Sequence, residues 1–231
     1  MIANVMIVSF VGGILCLDRI FVQALISRPI VAAPVIGLLL GDPYTGLISG
    51  AFIELFWIDR LPIGACILPN DTIAAVLIAA GAVESGRILG HLPQGLIALA
   101  VLIFIPFAVL VQKMDLWIVR GNEKLARSAL NDAARGDLRS ISRNHVRAAM
   151  KAWILPTGVI LLGLPLGVGA MTWGYPRLAP WIIRGLDLLY GLIPLIGAAV
   201  ALNTVNVRGK LPIFCAVFLA MTVVLHYIRS V

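Results

Sequence analysis

The stretch GLIALAVLIFIPFAVLVQ, residues 95–112, contains no charged residue. A helix needs about 20 predominantly apolar residues to cross the hydrocarbon core of a bilayer, and this stretch is close to that length. Two further uncharged runs, 152–172 and 188–207, have the same character. Hydrophobic residues make up 61% of the 231-residue chain, whereas soluble domains contain about 45–50%. The sequence therefore predicts an all-α, polytopic integral membrane protein.

The apolar segments of the N-terminal half are interrupted at short intervals. Polar or proline-containing breaks occur at Arg28-Pro29, at GDPYTG (41–46) and at LPND (68–71), leaving apolar pieces at 30–41, 44–58 and 72–83. Pieces this short favour half-helices or re-entrant hairpins over full crossings. Asp42 before Pro43, and Asn70-Asp71 before Thr72, are typical of helix starts. Interrupted segments of this kind are tolerated where they line a cavity, and in transporters they indicate the binding site.

A basic stretch, 113–151, separates the two halves of the chain. It contains nine basic and four acidic residues, which account for +5 of the net charge of +7. Arg135, Arg139, Arg143, Arg147 and Lys151 recur every four residues, which predicts an amphipathic helix at the interface or a solvated charged face. Short loops rich in Lys and Arg stay in the cytoplasm. We therefore expect 113–151 to be cytoplasmic, next to anionic lipid and not nucleic acid.

Three parts follow from this pattern: an N-terminal membrane half with the site (1–112), the basic cytoplasmic loop (113–151), and a C-terminal membrane half (152–231). The first segment lacks a basic n-region and a cleavage site, so we interpret it as a retained span and not a signal peptide. No H-E-x-x-H, Walker A or G-x-S-x-G motif is present, and the histidines and cysteines form no ligand pattern. The sequence therefore predicts no enzymatic activity, cofactor or metal.

Four residues of the N-terminal half are the candidate substrate-binding residues: Glu54, Asp71, Asn70 and Trp57. A charge within the bilayer is costly, so Glu54 in its apolar helix indicates a function, although an ion pair with Arg60 or another arginine is the alternative. Asp71 and Asn70 serve equally well as a helix cap or as substrate ligands. Trp57 is either an apolar neighbour of the substrate or, more commonly, an anchor at the lipid interface. Asp18-Arg19 and Asp59-Arg60 are expected to be interfacial charges.

The chemistry of these side chains suits a ligand with several hydroxyl groups. Ionised carboxylates are strong acceptors for hydroxyl donors, so Asp, Glu and Asn favour sugar recognition. The same carboxylates also bind protons or sodium ions. The residues alone therefore leave open a sugar carrier, an ion-coupled secondary transporter of another solute, and a scaffold in which the carboxylates only hold helices together.

A longer stretch of the sequence favours the sugar carrier among these three functions. The stretch SRPIVAAPVIGLLLGDPYTGLISGAFIELFWIDRLPIGACILPNDTIAAVL (27–77) resembles the IIC membrane component of the mannose/fructose/sorbose family of the bacterial sugar phosphotransferase system (PTS). The shared pattern comprises Arg28-Pro29, the GLxxGDxxTG motif from Gly37 to Gly46, Glu54, the residues 62–65, and Asp71. The stretches ALNDAARGDLRSISRNHV (129–146) and ALNTVNVRGKLPIF (201–214) continue the resemblance.

This resemblance implies a sugar-translocating permease subunit of the bacterial inner membrane. It implies a IID membrane partner, soluble IIA and IIB phosphocarriers, and phosphorylation of a hexose-type sugar by IIB. Glu54, Asn70 and Asp71 fall where the family's sugar-contacting groups lie. A higher-order oligomer is expected as well.

Overall fold

The computed structural model describes residues 1–58, 67–204, 209, 211–216, 218–220 and 223. Regular structure in these residues is helical, which confirms the predicted all-α class. The helices are α1 (Ile2–Leu17), α2 (Pro29–Leu39), α3 (Pro43–Phe56), α4 (Asp71–Leu89), α5 (Gln94–Ala134), α6 (Leu138–Gly174) and α7 (Pro180–Thr204), with a 3-10 turn at Tyr175–Arg177. Several positions discussed above lie outside the described residues: Asp59, Arg60, the 62–65 part of the motif and part of the last predicted span.

Four helices in the described part of the chain, α4 to α7, are long and apolar enough to cross a membrane. The protein is thus a multi-pass membrane protein. α4 is the most central of the four, because every residue from 72 to 86 is buried. Its residue Gly81 lies against the ring of Phe104 on α5, and the same ring packs against Gly167 on α6. Small residues here let three helices approach closely, which fixes where the ends of α4 lie.

α2 and α3 form a short antiparallel hairpin whose helices have 11 and 14 residues. At about 1.5 Å per residue, neither reaches the roughly 30 Å of a hydrocarbon core. The helix starts are those that the sequence predicts. Pro29 and Pro43 begin the two helices, and the carboxylate of Asp42 accepts a hydrogen bond from Thr45 N at 3.0 Å. The turn uses a positive φ of 80° at Gly41, which glycine adopts without strain.

The basic stretch 113–151 is helical, and it consists of the ends of α5 and α6 joined by a turn at 135–137. Asp137 caps α6 by accepting from Ser140 N at 3.0 Å, and Asn144 Nδ2 donates to Asp132 Oδ2 at 3.1 Å across the hairpin. The two membrane helices therefore continue without a break into the basic stretch. This continuity brings residues of α5 beyond 112 into contact with the N-terminal half.

Candidate functional site

A cavity of about 540 Å³ opens where α1 ends and α4 begins, against the walls of α5 and α6. A volume of this size suits a small-molecule ligand. Its apolar wall includes Cys16, Ile20, Leu25, Ile67, Leu68, Val119, Ala152 and Pro156. Its polar wall combines carboxylates, arginines and amides: Asp18, Arg19, Gln23, Ser27, Arg28, Asn70, Asp71 and Asp115. The cavity thus presents both donors and acceptors to a neutral polar ligand.

The connection 18–28, between α1 and α2, is held in place by the buried carboxylate of Asp18. One oxygen of Asp18 accepts from Ala24 N at 2.8 Å, and the other accepts from Ser27 N at 2.9 Å and Ser27 Oγ at 3.0 Å. Burial alone would raise the pKa of Asp18, but these hydrogen bonds outweigh it and hold the pKa below its ordinary value. Asp18 therefore has a structural role in the cavity wall.

The same connection carries two non-glycine residues at positive φ, Gln23 at 55° and Leu25 at 65°. Such conformations are strained for L-residues and persist only where the surroundings enforce them. Both residues line the cavity. The strain therefore lies in the segment that shapes the cavity wall.

Asp71 is the first residue of α4, and its carboxylate points to an arginine across the cavity. Arg19 Nη1 lies 2.6 Å from Asp71 Oδ1, and the two side chains are 24% and 21% exposed. Asp71 Oδ1 also accepts from Thr72 N at 2.9 Å. The other oxygen, Oδ2, makes no hydrogen bond to the residues that the structure describes. Arg19, expected to be an interfacial charge, lines the cavity.

Asn70 is the N-cap of α4 and is only 2% exposed. Its Oδ1 accepts from Ile73 N at 3.1 Å, and its backbone N donates to the carbonyl of Ala108 at 2.9 Å. Its Nδ2 donates to Asp115 Oδ2 at 3.0 Å. Of the two alternatives considered for Asn70 and Asp71, Asn70 takes the capping role. Asp71 is therefore free to face the cavity.

Glu54 and Trp57 do not line the cavity. Glu54 forms an ion pair with Arg28, and its Oε2 accepts from Ile30 N at 3.4 Å. These contacts tie the end of α3 to the start of α2. Because Arg28 lies on the cavity wall, Glu54 reaches the cavity through this arginine. Trp57 ends α3, is half-buried, and packs edge-on against Phe56 with ring centroids 6.5 Å apart.

Arg19 and Asp115 are charged cavity residues that the sequence did not predict as substrate ligands. Arg19 follows the first apolar segment as part of a charged pair, a position typical of an interface. Asp115 lies within the basic stretch 113–151, for which the sequence predicts a cytoplasmic loop. The available signal was its position three residues after Gln112, one helical turn beyond an uncharged run. In the described ranges no group of three or more His, Cys, Asp or Glu side chains is placed to hold a metal ion.

Comparison with known protein families and structures gives consistent matches. The family model described as the PTS system sorbose-specific IIC component matches residues 2–229. The mannose-specific EIIC component of Escherichia coli K12 is 27% identical over 214 residues, covering 91% of this chain and 77% of that protein. The fructose permease IIC component of Bacillus subtilis 168 is 24% identical over 220 residues, covering 94% and 77%.

Two solved structures share the fold. One, described as the structure of a membrane protein, has a TM-score of 0.72 at 22% identity and covers 99% of this chain and 92% of that chain. The mannose transporter ManYZ in complex with microcin E492 has a TM-score of 0.59 at 23% identity, covering 96% and 87%. At this level of identity the similarity supports the helical membrane architecture alone.

Proposed function

The chain belongs to the family of sorbose-specific IIC components of the phosphotransferase system, as the sequence predicted, and from this membership we propose that the cavity is its sugar site. As a member of that family the protein is a transport subunit, and phosphoryl transfer lies with partner proteins. The finer proposal is that it moves a hexose-type sugar across the inner membrane for phosphorylation by IIB. The relatives named for mannose and fructose support this substrate class.

The observation that carries the proposal is the pairing of Asp71 with Arg19 on the wall of a half-open cavity. A sugar hydroxyl both donates and accepts, so it can donate to a carboxylate oxygen while accepting from a guanidinium group. Asp71 Oδ2, which has no hydrogen-bond partner in the described part of the chain, supplies the acceptor, and Arg19 supplies the donor. The apolar wall, including Ile67 and Leu68, suits the C–H faces of the ring.

Three other residues have supporting roles in this proposal. Asn70 fixes the start of α4, and its Nδ2 keeps one hydrogen atom beyond the one donated to Asp115. Glu54 holds Arg28 at the cavity, so the carboxylate predicted to contact sugar acts through the arginine. Trp57 lies at the same end of the α2–α3 hairpin and provides an apolar neighbour for that end.

We also propose the orientation and the partners of the subunit. The positive charge of the basic stretch 113–151 supports an orientation with the turn at 135–137 and the cavity toward the cytoplasm, because positively charged segments stay in the cytoplasm. A site there is accessible to soluble IIA and IIB phosphocarriers, and IID is the membrane partner that the resemblance to the family implies. Arg139, Arg143 and Lys151 are exposed, which supports contact with anionic headgroups or with a further copy in a higher-order oligomer.

The test is sugar binding by the full chain, purified in mild detergent and titrated with mannose, fructose and sorbose. We expect wild type to bind at least one of them. Asp71→Asn should raise the Kd about 10- to 150-fold, because a hydrogen bond to a charged group contributes about 1.5–3 kcal/mol. Glu123→Gln is the control, since the contact of Glu123 among the described residues is an exposed ion pair with Arg127. Absence of binding to all three sugars, or equal Kd values for Asp71→Asn and wild type, would contradict the proposal.

Uptake into sealed vesicles tests the mechanism separately. With IID present, uptake should require phosphorylated IIB and should not respond to an imposed proton or sodium gradient. Uptake driven by a gradient without IIB would instead support the ion-coupled alternative.

A further inference from the structure

The carboxylate of Asp115 occupies a different wall of the cavity from Asp71. Asp71 begins α4, whereas Asp115 lies on α5, half-buried and beside Val119. A ligand in the cavity is therefore faced by one carboxylate from α4 and one from α5. Two acceptors on different walls fix the orientation of a ligand better than one does.

Asp115 is held in a defined orientation by Asn70. The Asn70 side chain cannot turn freely, because its Oδ1 caps α4 and its backbone N donates to Ala108. Its Nδ2 therefore presents a fixed donor to Asp115 Oδ2 at 3.0 Å. This contact leaves Asp115 Oδ1 as the second, separately directed acceptor.

The remaining oxygen of Asp115 has no protein partner among the described residues, and Asp115 forms no ion pair there. The other cavity carboxylates differ in this respect. Asp18 uses both oxygens within the connection 18–28, and Asp71 is paired with Arg19. Arg19 interacts with Asp115 electrostatically but forms no ion-pair contact with it, so Oδ1 has no donor in the described part of the chain. A half-buried carboxylate oxygen without a donor requires compensation from another group. A ligand hydroxyl directed at Oδ1 would supply that donor.

We propose that Asp115 is a specificity-determining sugar ligand, whose Oδ1 accepts one particular hydroxyl while Asn70 positions the carboxylate. This inference rests on the proposed sugar site and assigns to it a residue from outside the N-terminal motif. A site that hydrogen-bonds a substrate hydroxyl discriminates strongly against analogues lacking it, because a buried polar group is then left unpaired. Asp115 thus selects among sugars that differ at one position.

The key variant is Asp115→Asn, which keeps the size of the side chain and an oxygen to accept from Asn70. It replaces the free acceptor with an amide donor. The matched control is Asp132→Asn on the same helix, because Asp132 also accepts from an asparagine amide, that of Asn144, at 3.1 Å. Asp132 lies 17 residues further along α5, about 25 Å from Asp115 by the rise of a helix. Both variants should give the same elution profile and melting temperature as wild type.

The measurement is a double-mutant cycle of Kd values, in which the protein is changed at Asp115 and the sugar is changed at one hydroxyl. The sugar among mannose, fructose and sorbose that wild type binds most tightly is compared with its monodeoxy analogues, one for each hydroxyl. We expect Asp115→Asn to raise the Kd of the parent sugar about 10- to 150-fold and Asp132→Asn to leave it unchanged. One deoxy analogue should bind wild type more weakly than the parent does, yet bind Asp115→Asn as well as the parent does.

A purely structural role for Asp115 gives a different pattern. Loss of affinity by the same factor for the parent and all analogues would overturn the inference, and so would an unchanged Kd. If wild type and Asp71→Asn behave as proposed while Asp115→Asn has no selective effect, the sugar site stands and only the role of Asp115 falls. If wild type binds none of the three sugars, the proposed function and this inference fall together.

Discussion

Substitution of Gly46 by alanine should open the α2–α3 hairpin. A Cβ atom at position 46 would lie 2.5 Å from the carbonyl oxygen of Ala33 and 3.0 Å from the Cα atoms of Gly37 and Pro34. All three neighbours are backbone atoms, so no side-chain rotation relieves the contact. Because ordinary van der Waals contact begins at 3.4 Å, the two helices must separate by about 0.9 Å at this point.

The cost follows from the rigidity of packed helices. Overpacking by a single methyl group costs about 1–3 kcal/mol, and the backbone contact places Gly46→Ala near the middle of that range, at about 2 kcal/mol. For a protein of this size, 1 kcal/mol corresponds to about 2–4 °C, so the melting temperature should fall by about 4–8 °C. Separation of the helices also moves Arg28 relative to Glu54, so sugar affinity should fall with it.

The assay is thermal unfolding of the purified chain in mild detergent, followed by tryptophan fluorescence. Gly158→Ala is the matched control, because it makes the same change inside α6 where no atom lies within 4 Å. Alanine favours a helix over glycine by about 0.5–1 kcal/mol, so this control should melt at or above the wild-type temperature. Equal melting temperatures for the two variants would refute the close backbone approach.

Two further substitutions test the contacts of the buried carboxylates of Glu84 and Asp18. Arg87→Met removes the ion pair of Glu84, whose side chain is 3% exposed, but Arg87 is 49% exposed and Asn4 Nδ2 still donates to Glu84 Oε1 at 2.8 Å. Stability should therefore fall by about 1–2 kcal/mol in the same melting assay, less than for a fully buried pair. Arg127→Met, which breaks an exposed pair, should cost under about 0.5 kcal/mol. Equal effects of the two would contradict the burial of Glu84. Asp18→Asn should weaken the connection 18–28. Because the pKa of Asp18 is lower in the folded than in the unfolded protein, its carboxylate stabilises the fold above the unfolded-state pKa, and this stabilisation is lost as the pH falls through the folded-state pKa. The stability difference between Asp18→Asn and wild type should therefore persist at neutral pH and diminish only below about pH 4. A difference that disappears by pH 6 would argue against an ionised, hydrogen-bonded Asp18.

The sequence predicted the helix starts and caps that depend on a few adjacent residues. The starts of α2 and α3 at Pro29 and Pro43, the cap by Asp42 and the break before α4 follow from the chemistry of a few adjacent residues. Uncharged runs predicted the membrane helices α5, α6 and α7, because lipid excludes charge over a fixed length. The expectation of a short piece at 72–83 was wrong, because α4 continues through Glu84 and Arg87 to Leu89 and is long enough to cross a membrane. The family was evident from the motifs within 27–77.

The site was predicted only in part. Asn70 and Asp71 were identified and line the cavity, whereas Glu54 and Trp57 were identified and lie outside its wall. Arg19 and Asp115 reach the cavity from segments that the sequence assigned to the interface and to the basic loop. Charge and hydropathy classify a residue by its own neighbours along the chain, and they carry no information on what faces it across a helix contact.

The sequence by itself therefore determined the class of protein, its helical breaks and the family to which it belongs, because these depend on composition and on contiguous motifs. Only the tertiary structure decided which charges meet. Arg19 and Asp71 are 52 residues apart in the chain, and Asn70 and Asp115 are 45 apart. They come together for two reasons. The packing of α4 against α5 and α6 through glycines fixes the position of the first residue of α4, and the connection 18–28 folds back over the start of that helix.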